Sequence, residues 1–361
     1  MAKRVFNFNP GPAVLPLDVL EIIKADIPDY KGTGMSVMEI SHRSKDFEEI
    51  NNAAMALMRE LMGLGENYKV LFLGGGASTQ FAMIPINFLH PGKTAAYVDS
   101  GSWSNKALKE GKLLGQVHVA ASAKDVNYTK LPKIADIKFP ADAEYLHLTS
   151  NETIHGNQFA EFPETGNVPL ICDMSSDFLS RRREFGKFSV IYAGAQKNIG
   201  PAGVTVIIMR EEMLAKCKDG NPTMFDYRTH AKENSLYNTP PAFGIYVVRL
   251  VLEWVKKQGG LQAVEKVNLA KKDRIYGVMD ANPDYYKGTV DKDSRSWMNI
   301  TMRLPSEDLE AKFITEAKGK GFIGLKGHRS VGGIRVSLYN AMTLDGANQL
   351  AEFMEAFKKA N

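Results

Sequence analysis

The sequence predicts an α/β protein, with a large, mainly parallel-sheet domain followed by a smaller α+β domain. Short apolar runs alternate with helical segments through about the first two thirds of the chain. A long amphipathic helix then ends at two glycines, and the pattern changes beyond them. The length of 361 residues agrees with roughly two domains. We therefore expect a large domain over residues 16–258 and a small one over 259–361.

The large domain is predicted from helix and strand patterns in succession. Residues 47–62 place apolar side chains at helical spacing, and the run YKVLFL that follows is a compact strand. Similar runs occur later in TAAYVDSG, AEYLHLTSN, VPLICDMSS, SVIYAGAQ and VTVIIMR. Continuous apolar runs of this kind are typical of strands that helices cover on both faces of a sheet.

The small domain begins after a helix that carries Ile245, Val248, Leu252 and Val255 on one face. The pair 259–260 is Gly-Gly, which is a strong stop signal for that helix. The rest of the chain predicts three helices and two strands: helices near 261–279, 306–320 and 344–358, and strands in WMNITMRL and GGIRVSLY.

Composition excludes several classes of protein. The net charge of +4 is too small to indicate a nucleic-acid-binding protein. Residues 70–89 carry no charge and have about the length of a membrane span, but three glycines, Gln80, Pro85 and Asn87 favour a strand, a turn and a buried helix. Two cysteines without metal-like spacing favour a reducing compartment, and no export signal is visible, so we expect a cytoplasmic protein without a metal or a membrane partner.

Polar clusters follow several of the predicted strands, where open α/β sheets bind ligands. In LFLGGGASTQF, glycines allow backbone N–H groups to approach a phosphate, and Ser78 or Thr79 could cap the next helix. Trp103 in DSGSWSNKA offers either core packing or a flat face for stacking. Asp173, directly after VPLIC, is either a turn former or an acid that holds a proton on a heteroaromatic nitrogen.

Lys197 stands in IYAGAQKNIGPAG, between an apolar run and a loop rich in glycine and proline. Most lysines lie on the surface, but the small flanking residues indicate that the chain packs closely on both sides of this one. A lysine in a pocket of low polarity loses affinity for its proton and can form a Schiff base. With the phosphate loop, the stacking ring and the acid, it completes a set of groups complementary to pyridoxal phosphate.

Eight ordered segments resemble the phosphoserine aminotransferase family: NFNPGPAVLP, MEISHRSKDF, LFLGGGASTQFAMIPINFL, DSGSWS, TSNETIHG, AGAQKNIGPAG, YNTPP and KGHRSVGGIRVSLYNA. The resemblance covers essentially the whole chain. It implies a class V, fold-type I enzyme that depends on pyridoxal phosphate and forms a homodimer with active sites at the subunit interface. It also implies the reversible transamination of 3-phosphohydroxypyruvate with L-glutamate in serine biosynthesis, and an arm over residues 1–15 near the active site.

The resemblance also implies roles for residues around the cofactor. Lys197 looks like the Schiff-base lysine, Asp173 like the partner of the pyridine nitrogen, Trp103 like the stacking residue, and Thr153 like the residue near the ring hydroxyl. Ala77, Ser78 and Gln196 resemble the residues that contact the cofactor phosphate. Asn238 and Thr239 resemble the contacts that a neighbouring subunit lends to the same phosphate. Some members of the family carry an arginine where Ser78 stands.

Substrate recognition requires cations for two acidic ends. Arg335 resembles the clamp on the α-carboxylate, whereas His42, Arg43, His328 and Arg329 resemble the binders of the substrate's phosphate or side-chain carboxylate. The guanidinium fork of arginine matches the geometry of both anions.

Alternatives stay open at the level of sequence. A serine:glyoxylate-type aminotransferase, a cysteine desulfurase and a non-catalytic binding module each account for part of the pattern. The sequence also does not decide whether 4-phosphohydroxythreonine of pyridoxine biosynthesis is a second substrate. The segment SRRREFGK predicts a solvated turn in which the role of Arg181 is undecided.

Overall fold

The computed structural model describes residues 4–361. Its α-helices are α1 (Leu17–Asp26), α2 (Lys45–Met62), α3 (Gly76–Phe88), α4 (Ser102–Leu114), α5 (Tyr227–Lys232), α6 (Ala242–Lys257), α7 (Gly260–Ala281), α8 (Glu307–Gly319) and α9 (Leu344–Ala360). Its strands are β1 (Phe6–Asn7), β2 (Tyr68–Leu73), β3 (Thr94–Asp99), β4 (Gln116–Ser122), β5 (Leu146–Thr149), β6 (Asn151–Glu152), β7 (Asn157–Gln158), β8 (Leu170–Asp173), β9 (Val190–Gly194), β10 (Thr205–Arg210), β11 (Lys287–Gly288), β12 (Asn299–Arg303), β13 (Phe322–Ile323) and β14 (Ile334–Ser337).

The central sheet has seven strands in the order β2-β10-β9-β8-β5-β3-β4. Strand β10 is antiparallel to both of its neighbours, and the other pairs are parallel. Strands β11, β12 and β14 form a separate antiparallel sheet in the C-terminal region. The parallel strands of the central sheet end at one edge, which is where the polar clusters of the sequence lie.

Two apolar cores lie on opposite faces of the central sheet, because successive side chains of a strand point in opposite directions. In β2, Val70 and Phe72 pack into the core that α1, α2 and α6 cover. Leu71 and Leu73 pack into the core that α3 and α4 cover. This two-sided burial is the reason that the strands appear in the sequence as continuous apolar runs.

A third core fills the C-terminal region between α7, α8, α9 and the three-stranded sheet. Phe8 from the N-terminal segment belongs to this core, and β1 pairs with β13 in parallel. Gly259 precedes α7 with a φ of 100°, in the left-handed region that favours glycine. The division into domains near residue 258 stays a prediction, although the long helix does end beside these glycines.

Most predicted elements occur near their expected positions. The run YKVLFL is strand β2 in full, and residues 70–89 form the end of β2, a turn and α3. Within residues 4–361 no helix is both long and apolar enough to cross a bilayer. The sequence did not predict β4, because this edge strand leaves four of its seven residues exposed, Val119 among them, and has no long apolar run.

The prediction of a solvated turn over residues 180–187 is wrong for Arg183. Its guanidinium is 6% exposed and donates to the fully buried Asp177 at 2.6 Å. A charge buried without a partner is costly, so each group accounts for the burial of the other. Arg181 is also partly buried. Its guanidinium donates to the carbonyl of Phe159 and lies 4.6 Å from the ring centre of Trp297.

Lys271 of α7 stabilises the C-terminal region through buried hydrogen bonds. Its residue is fully buried, and its amino group donates to the carbonyls of Leu338, Tyr339 and Met342 at 2.9–3.1 Å. These carbonyls follow strand β14, which carries Arg335. A single side chain therefore provides donors for three carbonyl groups of a segment without regular structure.

We expect Lys271→Met to lower the free energy of unfolding by about 3 kcal/mol or more, because each buried carbonyl left without a donor costs about 1–3 kcal/mol. Urea unfolding followed by circular dichroism measures this change. Lys266→Met is the matched control, since Lys266 is exposed on the same helix. Equal stability of the two variants would contradict the structural role of Lys271.

Candidate active site

The candidate active site lies where three central strands end. Thr149 is the last residue of β5 and Asp173 the last residue of β8. Lys197 is the third residue after the end of β9. All three residues line one cavity of about 280 Å³. Pro10 and Gly11 of the N-terminal segment also line it. Residues that are far apart in sequence thus meet at the edge of the sheet, as the strand pattern predicts.

Lys197 is half-buried and lines this cavity. Its Nζ donates to Thr153 Oγ1 at 2.6 Å and lies 5.7 Å from the ring centre of Trp103. Burial lowers the pKa of Lys197 to about 8, while the negative charge of Asp173 acts in the opposite direction and the positive charge of Arg335 lowers the pKa further. A substantial fraction of this amine is therefore neutral, and nucleophilic, near pH 8.

Asp173 is the buried acid of the cavity, with only 4% of its surface exposed. Its Oδ1 accepts hydrogen bonds from the backbone N–H of Ser175 at 2.8 Å and from the Ser175 hydroxyl at 2.6 Å. Burial raises the pKa of Asp173, whereas these bonds and the charge of Lys197 lower it. Ser175 was not predicted from the sequence, although a serine two residues after an aspartate is a common local turn partner.

Trp103 presents an aromatic wall. It is the second residue of α4 and lines the cavity beside Lys197. Its indole Nε1 is buried and has no hydrogen-bond partner among residues 4–361. Lys106 lies over the same ring, with its Nζ 4.1 Å from the ring centre. Since buried indole N–H groups normally have a partner, this orphan donor favours a polar ligand in the cavity.

The first turn of α3 provides an anion site at one end of the cavity. Gly76, Ala77, Ser78 and Gln196 all line the cavity. Gly75 and Gly76 have φ values of 91° and 68°, which turn the chain sharply from β2 into the helix. The first N–H groups of a helix lack partners inside the helix, and they favour a phosphate.

Arg335 and His328 line the cavity from the C-terminal region. Arg335 is 6% exposed, and its Nη1 donates to the carbonyl of Thr153 at 3.2 Å. Its buried Nε has no partner within the described part of the chain. The guanidinium therefore keeps hydrogen-bonding capacity for an anion in the cavity.

Five predicted residues do not line this cavity in the single chain: His42, Arg43, Asn238, Thr239 and Arg329. Asn238 and Thr239 are exposed, and Asn238 lines a different cavity, behind the glycine loop. Arg43 and Arg329 are also exposed, and Arg43 Nε donates to His42 Nε2 at 3.4 Å. The sequence analysis assigned Asn238 and Thr239 to the site of a neighbouring subunit, and that assignment stays a prediction.

Comparison with known proteins identifies the family. The sequence matches the family described as aminotransferase class-V over residues 5–350. The chain belongs to the class-V aminotransferases. It is therefore an enzyme, as the sequence predicted. The phosphoserine aminotransferase of Niallia circulans is 56% identical over 360 residues, which cover 100% of this chain and 99% of that protein.

Solved structures of class-V aminotransferases confirm the predicted α/β fold. The phosphoserine aminotransferase of Bacillus circulans subsp. alkalophilus is 55% identical, with 99% of each chain covered and a TM-score of 0.97. The phosphoserine aminotransferase of Trichomonas vaginalis, solved with PLP bound, is 38% identical, with 98% of this chain and 100% of that chain covered and a TM-score of 0.92.

The residues of the cavity fit pyridoxal phosphate. The orphan Nε1 of Trp103, the free N–H groups at the start of α3 and the buried carboxylate of Asp173 provide a wall, a phosphate site and an acid. The amine of Lys197 lies among them, with its pKa lowered to about 8. This donor set matches the ring, the phosphate and the aldehyde of that cofactor.

We expect the lowered pKa of Lys197 to be measurable in the apoprotein by competitive acetylation with trace acetic anhydride, which reacts only with the neutral amine and is not itself a weak acid. The modification rate at Lys197 should rise with pH and level off above about 8, whereas an ordinary lysine has a pKa of about 10.4. Peptide mass spectrometry after digestion gives the rate.

Exposed Lys109 on α4 serves as the internal reference in the same digest. Asp173→Asn should move the Lys197 plateau to lower pH, because it removes the largest charge that raises this pKa. A Lys197 rate that still climbs steeply between pH 9 and 10 would contradict the lowered pKa of the amine.

Proposed function

We propose that the chain is a phosphoserine aminotransferase that depends on pyridoxal phosphate. It transfers the amino group of L-glutamate reversibly to 3-phosphohydroxypyruvate, which gives O-phospho-L-serine and 2-oxoglutarate in serine biosynthesis. The observation that carries this proposal is the convergence of an amine with a lowered pKa, a buried acid and an aromatic wall in one cavity. A full-length relative of this name at 56% identity supports the substrate.

Lys197 acts as the base and acid of the reaction. With a pKa of about 8, its Nζ is a proton acceptor of suitable strength near neutral pH, so it removes the proton from Cα of the bound amino acid. The hydrogen bond to Thr153 Oγ1 orients the amine. Because the amine is held out of bulk water, the proton it takes up stays at the site and is returned to the reacting groups.

Asp173 keeps a proton on the ring nitrogen of the cofactor. When bound, pyridoxal phosphate supplies an electron sink for the carbanion that forms at Cα. The two hydrogen bonds from Ser175 favour the charged form of Asp173, and an anion in this position favours a protonated ring nitrogen. Trp103 holds the ring from one side, and the first turn of α3, with Ala77, Ser78 and Gln196, holds the phosphate.

The acidic ends of the substrates meet cations. Arg335 binds the α-carboxylate, since its guanidinium lines the cavity and retains an unpartnered Nε. His328 lines the same cavity, and exposed Arg329 follows it in sequence. These two residues bind the phosphate of phosphoserine or the side-chain carboxylate of glutamate, which are anions of similar reach.

A second copy of the chain completes the site. His42, Arg43, Asn238 and Thr239 lie outside the cavity of their own chain, which supports their delivery to the cavity of a partner subunit. Three exposed apolar side chains near these segments, Met38, Met224 and Tyr237, are 63%, 42% and 47% exposed and suit a subunit contact. The proposal is thus a homodimer with shared active sites.

Other chemistry for this cofactor is less well supported. A cysteine desulfurase needs a reactive thiol, but Cys172 and Cys217 are 0% and 6% exposed, and burial raises the pKa of each thiol. A serine:glyoxylate-type aminotransferase has no use for so many cations around the cavity. A non-catalytic binding module has no use for an amine with a lowered pKa. Two free, buried cysteines also support a cytoplasmic location.

The substrate assignment predicts selectivity in a half-reaction. On mixing with cofactor-loaded enzyme, O-phospho-L-serine and L-glutamate should convert the cofactor to its amine form. L-Serine should react roughly 100-fold more slowly at subsaturating concentration, because the charged hydrogen bonds of the phosphate, each worth about 1.5–3 kcal/mol, are missing. Stopped-flow absorbance of the cofactor measures the rates.

Lys197→Ala is the negative control and should abolish conversion with all three amino acids. Faster conversion with serine than with phosphoserine would favour the glyoxylate-type alternative. If none of the three amino acids converts the bound cofactor of the wild-type protein, the non-catalytic binding module would be favoured.

The shared site predicts complementation between damaged subunits. Lys197→Ala and the double variant His42→Ala, Arg43→Ala should each be nearly inactive at low phosphoserine concentration. After equal mixing and reassociation, about half of the dimers contain one chain of each kind and one intact site, so activity should return to about one quarter of wild type. A coupled assay of 2-oxoglutarate consumption measures it.

Mixing Lys197→Ala with Asp173→Asn is the matched control. Both residues serve the cavity of their own chain, so no intact site forms and activity should stay near zero. Recovery in neither mixture would contradict the shared site, and recovery in both would indicate repair by another route.

A further inference from the structure

Glu152 is a fully buried carboxylate that the proposed catalytic steps do not use. It is the last residue of the short strand β6. Its neighbour in sequence, Thr153, contacts the amine of Lys197. Carboxylates are rarely buried without a partner, so the contacts of Glu152 need an explanation.

The partners of Glu152 are the first backbone N–H groups of α4. Its Oε2 accepts from the N–H of Trp103 at 2.9 Å, and its Oε1 accepts from the N–H of Ser104 at 2.8 Å. The residue before the helix is Gly101, which has no side chain to cap these groups. A carboxylate at a helix N-terminus also interacts favourably with the helix dipole. Glu152, about fifty residues further along the chain, thus supplies the cap.

The fit between Glu152 and α4 is close. A Cβ atom built on Gly101 would lie 2.4–2.7 Å from carboxyl and side-chain atoms of Glu152. The carboxylate therefore occupies the space in which a side chain at position 101 would sit. Burial raises the pKa of Glu152 to about 7, while the N–H bonds from Ser104 and Trp103 lower it, so the charged form depends on these two bonds.

We propose that Glu152 is a positioning residue that fixes the indole of Trp103 against the cofactor by capping the first turn of α4. Trp103 is the residue whose N–H the carboxylate binds, so the cap sets the position of the Cα from which the ring extends. The next residue, Thr153, accepts a hydrogen bond from Lys197 through its own hydroxyl, so that contact does not depend on the carboxylate of Glu152. This inference rests on the proposed function, because it takes the ligand beside Trp103 to be pyridoxal phosphate.

Glu152→Gln tests the inference with little change of shape, because one of the two acceptor oxygens becomes an NH₂ group that faces an N–H. We expect the cofactor to dissociate roughly 5- to 10-fold faster, which corresponds to loss of one aromatic stacking contact. The visible circular dichroism of the bound cofactor should also weaken. Both signals are read on loaded protein without substrate, so they are independent of the phosphoserine reaction.

A double-mutant cycle separates positioning from general destabilisation. In a Trp103→Ala background, Glu152→Gln should add no further increase in the dissociation rate, because no ring remains to be positioned. The same fold-increase in both backgrounds would overturn the inference. So would a wild-type dissociation rate for Glu152→Gln alone.

Glu310→Gln is the matched control. Glu310 is also a buried glutamate that accepts from a backbone N–H, that of Leu304, but it lies in the C-terminal region and does not line the cavity. It should leave the cofactor signals unchanged even where it lowers the unfolding temperature. Cofactor loss in proportion to lowered unfolding temperature in both variants would mean a structural role only.

Gly101→Ala approaches the same contact from the opposite side, and it keeps the inference testable if Glu152→Gln folds poorly. The added methyl group displaces the carboxylate without removing it. With Trp254→Phe and Trp297→Phe as background, Trp103 fluorescence anisotropy in the apoprotein should fall for both Gly101→Ala and Glu152→Gln. Unchanged anisotropy in both would contradict the role in positioning the ring.

Discussion

The site depends on the exclusion of water from one edge of the central sheet. Burial has opposite effects on the two charged groups at its centre, since it lowers the pKa of Lys197 and raises that of Asp173. Each group limits the shift of the other, because their opposite charges attract. Desolvation thus makes the amine a suitable base, whereas the hydrogen bonds from Ser175 and the charge of Lys197 oppose its effect on Asp173 and favour the carboxylate. Surface positions would leave the amine protonated and weakly nucleophilic.

Water can be excluded there because the C-terminal region closes over the sheet. Arg335 of β14 donates to the carbonyl of Thr153, and Thr153 in turn accepts from Lys197. The backbone N–H of Asn340 donates to the side chain of Asn198, directly after Lys197. The small antiparallel sheet and its helices are therefore part of the site. Any movement of the C-terminal region changes the surroundings of the amine, because these hydrogen bonds cross between the two regions.

Sequence patterns predicted those features that depend on local order along the chain. Continuous apolar runs located the buried strands, and the polar residues just after them, Asp173 and Lys197, do lie in one cavity. Two buried pairings were not predicted, one between distant segments and one between residues six apart in sequence. Glu152 caps a helix that begins about fifty residues earlier, and Arg183 is buried in an ion pair with Asp177. Nothing in the local sequence of either residue marks such a pairing, since any acid in a polar stretch has the same composition signal.

Residues that we propose to act between subunits form another class. His42, Arg43, Asn238 and Thr239 belong to segments that the resemblance to a family marked, yet their own chain gives them no role in its cavity. The pattern of strands and helices describes the fold of one chain only, because the periodicities of strands and helices carry no information about the symmetry of an assembly. The resemblance was therefore the only sequence signal for these four residues, and the fold of one chain adds only that none of them lines its own cavity.

The distribution of charge between the interior and the surface explains how one cavity combines reactivity with selectivity. Inside, the cations Lys197 and Arg335 lie near the carboxylates of Asp173 and Glu152, so the buried charges are close to balance. Arg329 and Arg43 are exposed and lie outside the cavity of their own chain, and a single exposed cation binds an anion weakly because water screens the pair. Several such cations brought together in a cleft between two subunits lose part of that screening, and their attraction for a phosphate rises. In the proposed dimer, association therefore creates the strong anion site that neither chain has alone, while the chemistry at the centre of the cavity stays the property of each chain.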